Sequence, residues 1–186
     1  SQDATDKLET LIADLGGMDL YFHASGVGTQ NVDLLPEIEI QTVKTNCEGF
    51  VRLVTFAFNW FYKNKVKGHI AVISSIAGTK GLGVAPAYSA TKAMQNTYIQ
   101  SLSQLARIKK ADISFTDIRP GFVATDLLNK SKHYPMLMKK EKVAKIIIKA
   151  LKHKKRIAII DWKFRLLVIL WKLIPSCIWE RISVKN

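Results

Sequence analysis

Cysteine is nearly absent from this chain: Cys47 and Cys177 are the only two among 186 residues, and they lie far apart. That scarcity excludes a disulfide framework, and the four scattered histidines add no ligand cluster, so no metal is expected. Two reduced thiols suit a reducing compartment, and a cytoplasmic location is the expectation. Proline and glycine are also sparse, at 5 and 10 residues. No linker, internal repeat or low-complexity tract breaks the pattern, so residues 1–186 are expected to form a single domain. No Gly-x-Gly-x-x-Gly occurs, which removes the familiar phosphate-cradling turn from these residues. The uncharged apolar stretch from Leu166 to Trp171 is much too short to cross a bilayer, which needs roughly 20 residues.

Acidic residues are scarce in the last third. Residues 1–129 hold 12 Lys+Arg and 12 Asp+Glu, whereas residues 130–186 hold 16 and 3, so the whole formal charge of +13 is local. Lys139 to Lys152 reads as a basic amphipathic helix, and a solvated outer face is the expectation for its lysines. Residues 161–186 then form a basic and apolar helical extension. Within it, Trp162 to Trp179 interleaves three tryptophans and aliphatic residues with Lys and Arg. Two readings compete there: contact with a membrane surface, or a cover over a cleft or subunit contact. Nucleic acid is not an expected partner, because the aromatics sit inside aliphatic runs rather than as spaced stacking platforms.

What is present suits an α/β domain. At 48% hydrophobic and 23% charged residues there is ample core material. Met18 to Ala24, Gly68 to Ser74, Asp112 to Ile118 and Arg156 to Ile160 read as strands. Helices are expected over Asp6 to Leu15, with Leu8, Leu11, Ile12 and Leu15 as its apolar stripe and Gly16-Gly17 as its stop, and over Asn46 to Lys63 and Pro86 to Lys109. The chemistry gathers around Tyr88 and Lys92. At i and i+4 on one helix they share a face, so the ammonium is expected to lower the tyrosine's pKa from about 10 toward the working range. Ser75, thirteen residues before the tyrosine, leaves a buried strand at its carboxyl end, where parallel sheets bind ligands. Together these groups can move a proton onto a carbonyl.

Three motifs in order, Ile73-Ser74-Ser75-Ile76-Ala77-Gly78, Tyr88-Ser89-Ala90-Thr91-Lys92-Ala93 and Arg119-Pro120-Gly121-Phe122-Val123-Ala124-Thr125, resemble the single-domain short-chain dehydrogenase/reductase family. The resemblance implies a Rossmann-like doubly wound parallel sheet and redox between carbonyl and alcohol with NAD or NADP. It implies Ser75, Tyr88 and Lys92 as a catalytic triad, with Asn46 completing a tetrad and positioning a water that reconnects lysine to solvent. Gly26, Asn46, Tyr88, Lys92, Pro120, Gly121, Val123 and Thr125 would touch the cofactor. A hydrophobic small-molecule substrate would sit against Thr125 to Met138, and a homo-oligomer would pair through the helices of Asn46 and Pro86. The family's opening strand, glycine-rich turn and next β-α units are absent from these 186 residues, and roughly 50 or more residues are expected ahead of Ser1. Where relatives carry Asn-Asn-Ala-Gly this chain has His23-Ala24-Ser25-Gly26, with His23 expected to be structural. The alternative reading is a catalytically inactive nucleotide-binding scaffold of the same fold.

Overall fold

The computed structural model describes residues 2–128, 133–182 and 184. Four strands, β1 (Leu20–His23), β2 (Gly68–Ile73), β3 (Ile113–Arg119) and β4 (Ile157–Ile159), form one sheet in the order β1-β2-β3-β4. Every pairing is parallel, so each strand delivers its carboxyl end to the same edge. All four strands follow the sequence expectation: β1, β2 and β4 are shorter by three, one and two residues, and β3 is shifted one residue onward to end at Arg119.

Helices flank the sheet: α1 (Gln2–Asp14), α2 (Pro36–Val43), α3 (Phe50–Asn64), α4 (Pro86–Ile108), α5 (Lys140–Lys152), α6 (Trp162–Leu173) and the short α7 (Ser176–Trp179). Buried Phe50, Val54, Ala57, Phe58 and Phe61 recur along α3 at helical spacing and form a core with Ile70, Val72, Ile99 and Phe115. A second core on the other side joins Ala71 and Ile118 to Val143, Ile160, Phe164 and Val168. Each fully buried Phe or Ile adds about 1.5–3 kcal/mol relative to exposure.

Several boundaries differ from expectation. The helix expected from Asn46 starts ten residues earlier, at Pro36, because Pro fits the first helical turn; a π-helical turn, Lys44–Gly49, joins α2 to α3. The first helix begins at Gln2 and turns only Leu8 and Ile12 inward, leaving Leu11 and Leu15 exposed. The final helix is interrupted near Pro175, whose ring cannot continue the hydrogen-bond ladder. On α5 the lysines do face outward, while Val143 and Ala150 are buried.

Candidate active site

The inward stripe of α4 changes character along its length. Tyr88, Lys92 and Gln95 occupy its first turns, and Ile99, Leu102 and Ala106 continue the same face as core. The polar half therefore lies at the carboxyl edge of the sheet and the apolar half beneath it. Pro86 begins the helix, placing Tyr88 in its first turn.

Ser75 follows β2 in extended conformation and caps a 3-10 turn, Ile76–Thr79, by accepting from the Ala77 N–H at 3.1 Å. The Tyr88 side chain lies close enough for the Ser75 hydroxyl to pull the phenol's pKa down. The Pro120 carbonyl accepts from the Ile76 N–H at 3.1 Å and faces the Ser75 hydroxyl at 3.5 Å, which draws Pro120 to Thr125 alongside Ser75. Within that segment Thr125 is exposed and Val123 bridges to Met138. A Cβ on Gly121 would lie 2.3 Å from the Phe164 ring, so glycine is needed there to pack against α6.

Lys92 is 5% exposed. Its Nζ donates to the Ile73 carbonyl at 3.1 Å and to Gln95 Oε1 at 3.0 Å, and lies 5.8 Å from the centre of the Tyr88 ring. Burial lowers its pKa to about 8, against the opposing pull of Asp117 and Cys47. Tyr88 moves opposite to expectation. Burial raises its pKa, and the hydrogen bond with Ser75 works the other way; the ammonium is engaged with Ile73 and Gln95.

Asn46 is fully buried in the π-helical turn. Its Oδ1 accepts from the Val27 N–H at 2.9 Å, and its Nδ2 donates to the Val27 carbonyl at 2.8 Å and to Thr91 Oγ1 at 3.1 Å. This double clasp pins the loop after β1 over the site. A Cβ on Gly26 would meet Asn46 Oδ1 at 3.3 Å and Lys92 Nζ at 3.4 Å, and one on Gly28 would meet Tyr88 Cε2 at 2.8 Å. The Asn46 backbone carbonyl accepts from Gln95 Nε2 at 2.8 Å.

His23 has a structural setting, as expected. It is 2% exposed, shares a 3.0 Å hydrogen bond with the Tyr21 hydroxyl and meets Phe50 edge to face. In the segment expected to hold substrate, Tyr134 and Met138 are buried, with Met138 tied to β3's continuation through Phe122 and Ala124. Leu127, Met136 and Leu137 are exposed, and residues 129–132 lie outside the described residues.

Sequence reasoning missed Gln95 and Asp117. Gln95 was detectable as the next inward position after Lys92 on α4. Asp117 was a lone carboxylate inside an apolar strand, and it is fully buried, paired with Arg119 and bonded to Ser74. Among the described residues no cluster of three metal-ligating side chains occurs.

The family model described as short chain dehydrogenase matches residues 1–135. The chain belongs to the short-chain dehydrogenase family. An uncharacterised oxidoreductase of Myxococcus xanthus is 34% identical over 137 residues, covering 72% of this chain and 53% of the relative. Dehydrogenase/reductase SDR family member 7B of Bos taurus is 29% identical over 60% of this chain and 34% of its own length. The chain thus spans about half or less of these relatives. Among solved structures, a short chain dehydrogenase from Burkholderia cenocepacia in complex with NADP superposes with a TM-score of 0.80 at 14% identity, over 98% of this chain and 75% of that one. A 3-ketoacyl-ACP reductase from Sinorhizobium meliloti gives 0.72 at 22%, over 88% and 74%. These likenesses establish the α/β Rossmann-type fold.

Proposed function

We propose that this chain carries the catalytic residues of an NAD(P)(H)-dependent oxidoreductase that interconverts a carbonyl and an alcohol on a hydrophobic small molecule. The observation that supports it is the meeting of the Ser75 and Tyr88 hydroxyls at the carboxyl edge of the sheet with Lys92 beside the same ring. The residues fit a nicotinamide and its ribose. Gly26 leaves a cradle beside Asn46 Oδ1 and Lys92 Nζ that a Cβ would fill, and two of the three lysine protons are spent on Ile73 and Gln95. The third would reach the ribose hydroxyls, with Pro120, Gly121, Val123 and Thr125 around the nicotinamide.

NAD(P)H, when bound, supplies the hydride that adds to the carbonyl carbon. Ser75 orients the carbonyl oxygen and stabilises charge developing on it. Burial keeps Tyr88 protonated at neutral pH, which suits it to give its proton to that oxygen and complete the alcohol. The phenolate left behind is stabilised by the Lys92 ammonium until solvent returns the proton. Full-length protein assayed for NAD(P)H oxidation against ketones and aldehydes tests the reading. Tyr88→Phe should remove nearly all turnover and spare cofactor binding; a variant with the parent's rate would refute the assignment.

A specific surface favours a second property, peripheral contact of residues 162–179 with an anionic membrane. Trp162, Leu166, Ile169, Leu170 and Leu173 form an exposed stripe on α6, opposite buried Phe164 and Val168, flanked by Lys163, Arg165 and Lys172. Among the described residues no helix is long and apolar enough to cross a membrane. Flotation with phosphatidylserine vesicles should carry the protein upward, and Leu166→Glu with Leu170→Glu should abolish this; no flotation of the parent at low salt would sink it. Homo-oligomerisation through α3 and α4 belongs to the same proposal, with light scattering as its test.

A further inference from the structure

Gln95 is the largest polar side chain among the fully buried ones, with no measurable exposure, and both ends of its amide are committed to neighbours already described. Oε1 accepts from Lys92 Nζ at 3.0 Å, and Nε2 donates to the Asn46 backbone carbonyl at 2.8 Å. Burying an amide costs free energy unless its hydrogen bonds are replaced, and a leucine would fill similar space without that demand. The accepting carbonyl of Asn46 lies in the π-helical turn. Gln95 thereby bridges Lys92 on α4 to the backbone of Asn46.

We propose that Gln95 is a positioning residue for the reaction: it fixes the Lys92 ammonium against α4 and couples it directly to Asn46. The inference rests on the oxidoreductase reading given above. The groups facing Lys92 come from every neighbouring element. Asp117 on β3 and Cys47 in the π-helical turn favour its charged form, His23 on β1 interacts with it as a base held neutral down to about pH 4, and the Tyr88 phenol on α4 is kept protonated by burial. Ile73 O and Gln95 Oε1 are its direct acceptors. A carbonyl oxygen accepting from an ammonium favours the charged form, so its loss must lower the lysine's affinity for a proton.

The test uses full-length protein with 15N-labelled lysine, following the Lys92 Nζ resonance, assigned from a Lys92→Arg spectrum, against pH. Gln95→Leu should lower the Lys92 titration midpoint by about half a unit or more, and Gln95→Glu should raise it. The alkaline limb of kcat/KM should move in the same two directions, with kcat falling at least about tenfold in Gln95→Leu and partly recovering in Gln95→Glu. A purely structural Gln95 would instead lower the melting temperature with both midpoints unmoved, which overturns the proposal. If Gln95→Leu does not fold, the opposite shift in Gln95→Glu decides alone. Absence of turnover in the parent alongside a shifted lysine titration would defeat the reaction role by a separate route, since the bridge would then exist without chemistry to serve.

Discussion

Ser74 donates a hydrogen bond from its hydroxyl to the buried carboxylate of Asp117 on the neighbouring strand, so the two adjacent serines are divided between tasks. Ser74 is held down into the sheet and Ser75 is left to meet Tyr88. Asp117 also takes Arg119 through Nε at 2.8 Å and Nη2 at 2.6 Å, with the carboxylate almost wholly enclosed. Asp117→Ala should therefore cost about 3–5 kcal/mol, because removing one partner strands a partly buried guanidinium. It should also lower the Lys92 pKa below about 8, since Asp117 is the leading charge that raises it. Urea unfolding checks the first effect, and a loss under about 1 kcal/mol would contradict it.

Gly28 presses on the Tyr88 ring. A Cβ there would lie 2.8 Å from Tyr88 Cε2, closer than real contacts allow. Gly28→Ala should displace the phenol from Ser75 while leaving the distant core intact, because a misplacement of about 1 Å can cost 100-fold in rate. The expected result is a large fall in kcat with an unfolding midpoint close to the parent's; unchanged kcat would show that the ring tolerates the methyl.

The strands and the Tyr88 helix were legible because apolar runs and the Pro86 start signal are local features. The grouping of Ser75, Tyr88, Lys92 and Asn46 was legible only through motif order. What could not be read is how burial acts in three dimensions: Tyr88 and Lys92 share a helix face, yet enclosure pushes both groups toward neutrality. Gly121 shows the same limit. Its motif implied a cofactor contact, and nothing in that motif announced that Phe164, forty-three residues later, takes the space a Cβ would occupy.

That Phe164 contact carries its own prediction. A Cβ on Gly121 would reach within 2.5 Å of three ring atoms, and Phe164 is 1% exposed, so the ring has little room to withdraw. Gly121→Ala should destabilise by about 1–3 kcal/mol through overpacking. Gly121→Ala combined with Phe164→Leu should recover part of that loss, and thermodynamic coupling between the two positions in a double-mutant cycle is the measurement. Strict additivity would remove the packing account.

His23 should make stability depend on pH. Burial, aided by the Lys92 charge, lowers its pKa from the ordinary 6.5 to about 4, so the unfolded chain binds a proton between those values and the folded protein does not. Stability from the neutral ring is fully present above about pH 6.5 and is lost as pH falls toward 4, with a slope approaching about 1.4 kcal/mol per pH unit. A backbone hydrogen bond with Ser25 favours the protonated ring, but burial and the Lys92 charge outweigh it. His23→Asn removes the titrating group, and its unfolding free energy should vary less than the parent's across this window. Parallel curves for the two proteins between pH 4.5 and about 6.5 would show that the ring is not held neutral by the fold.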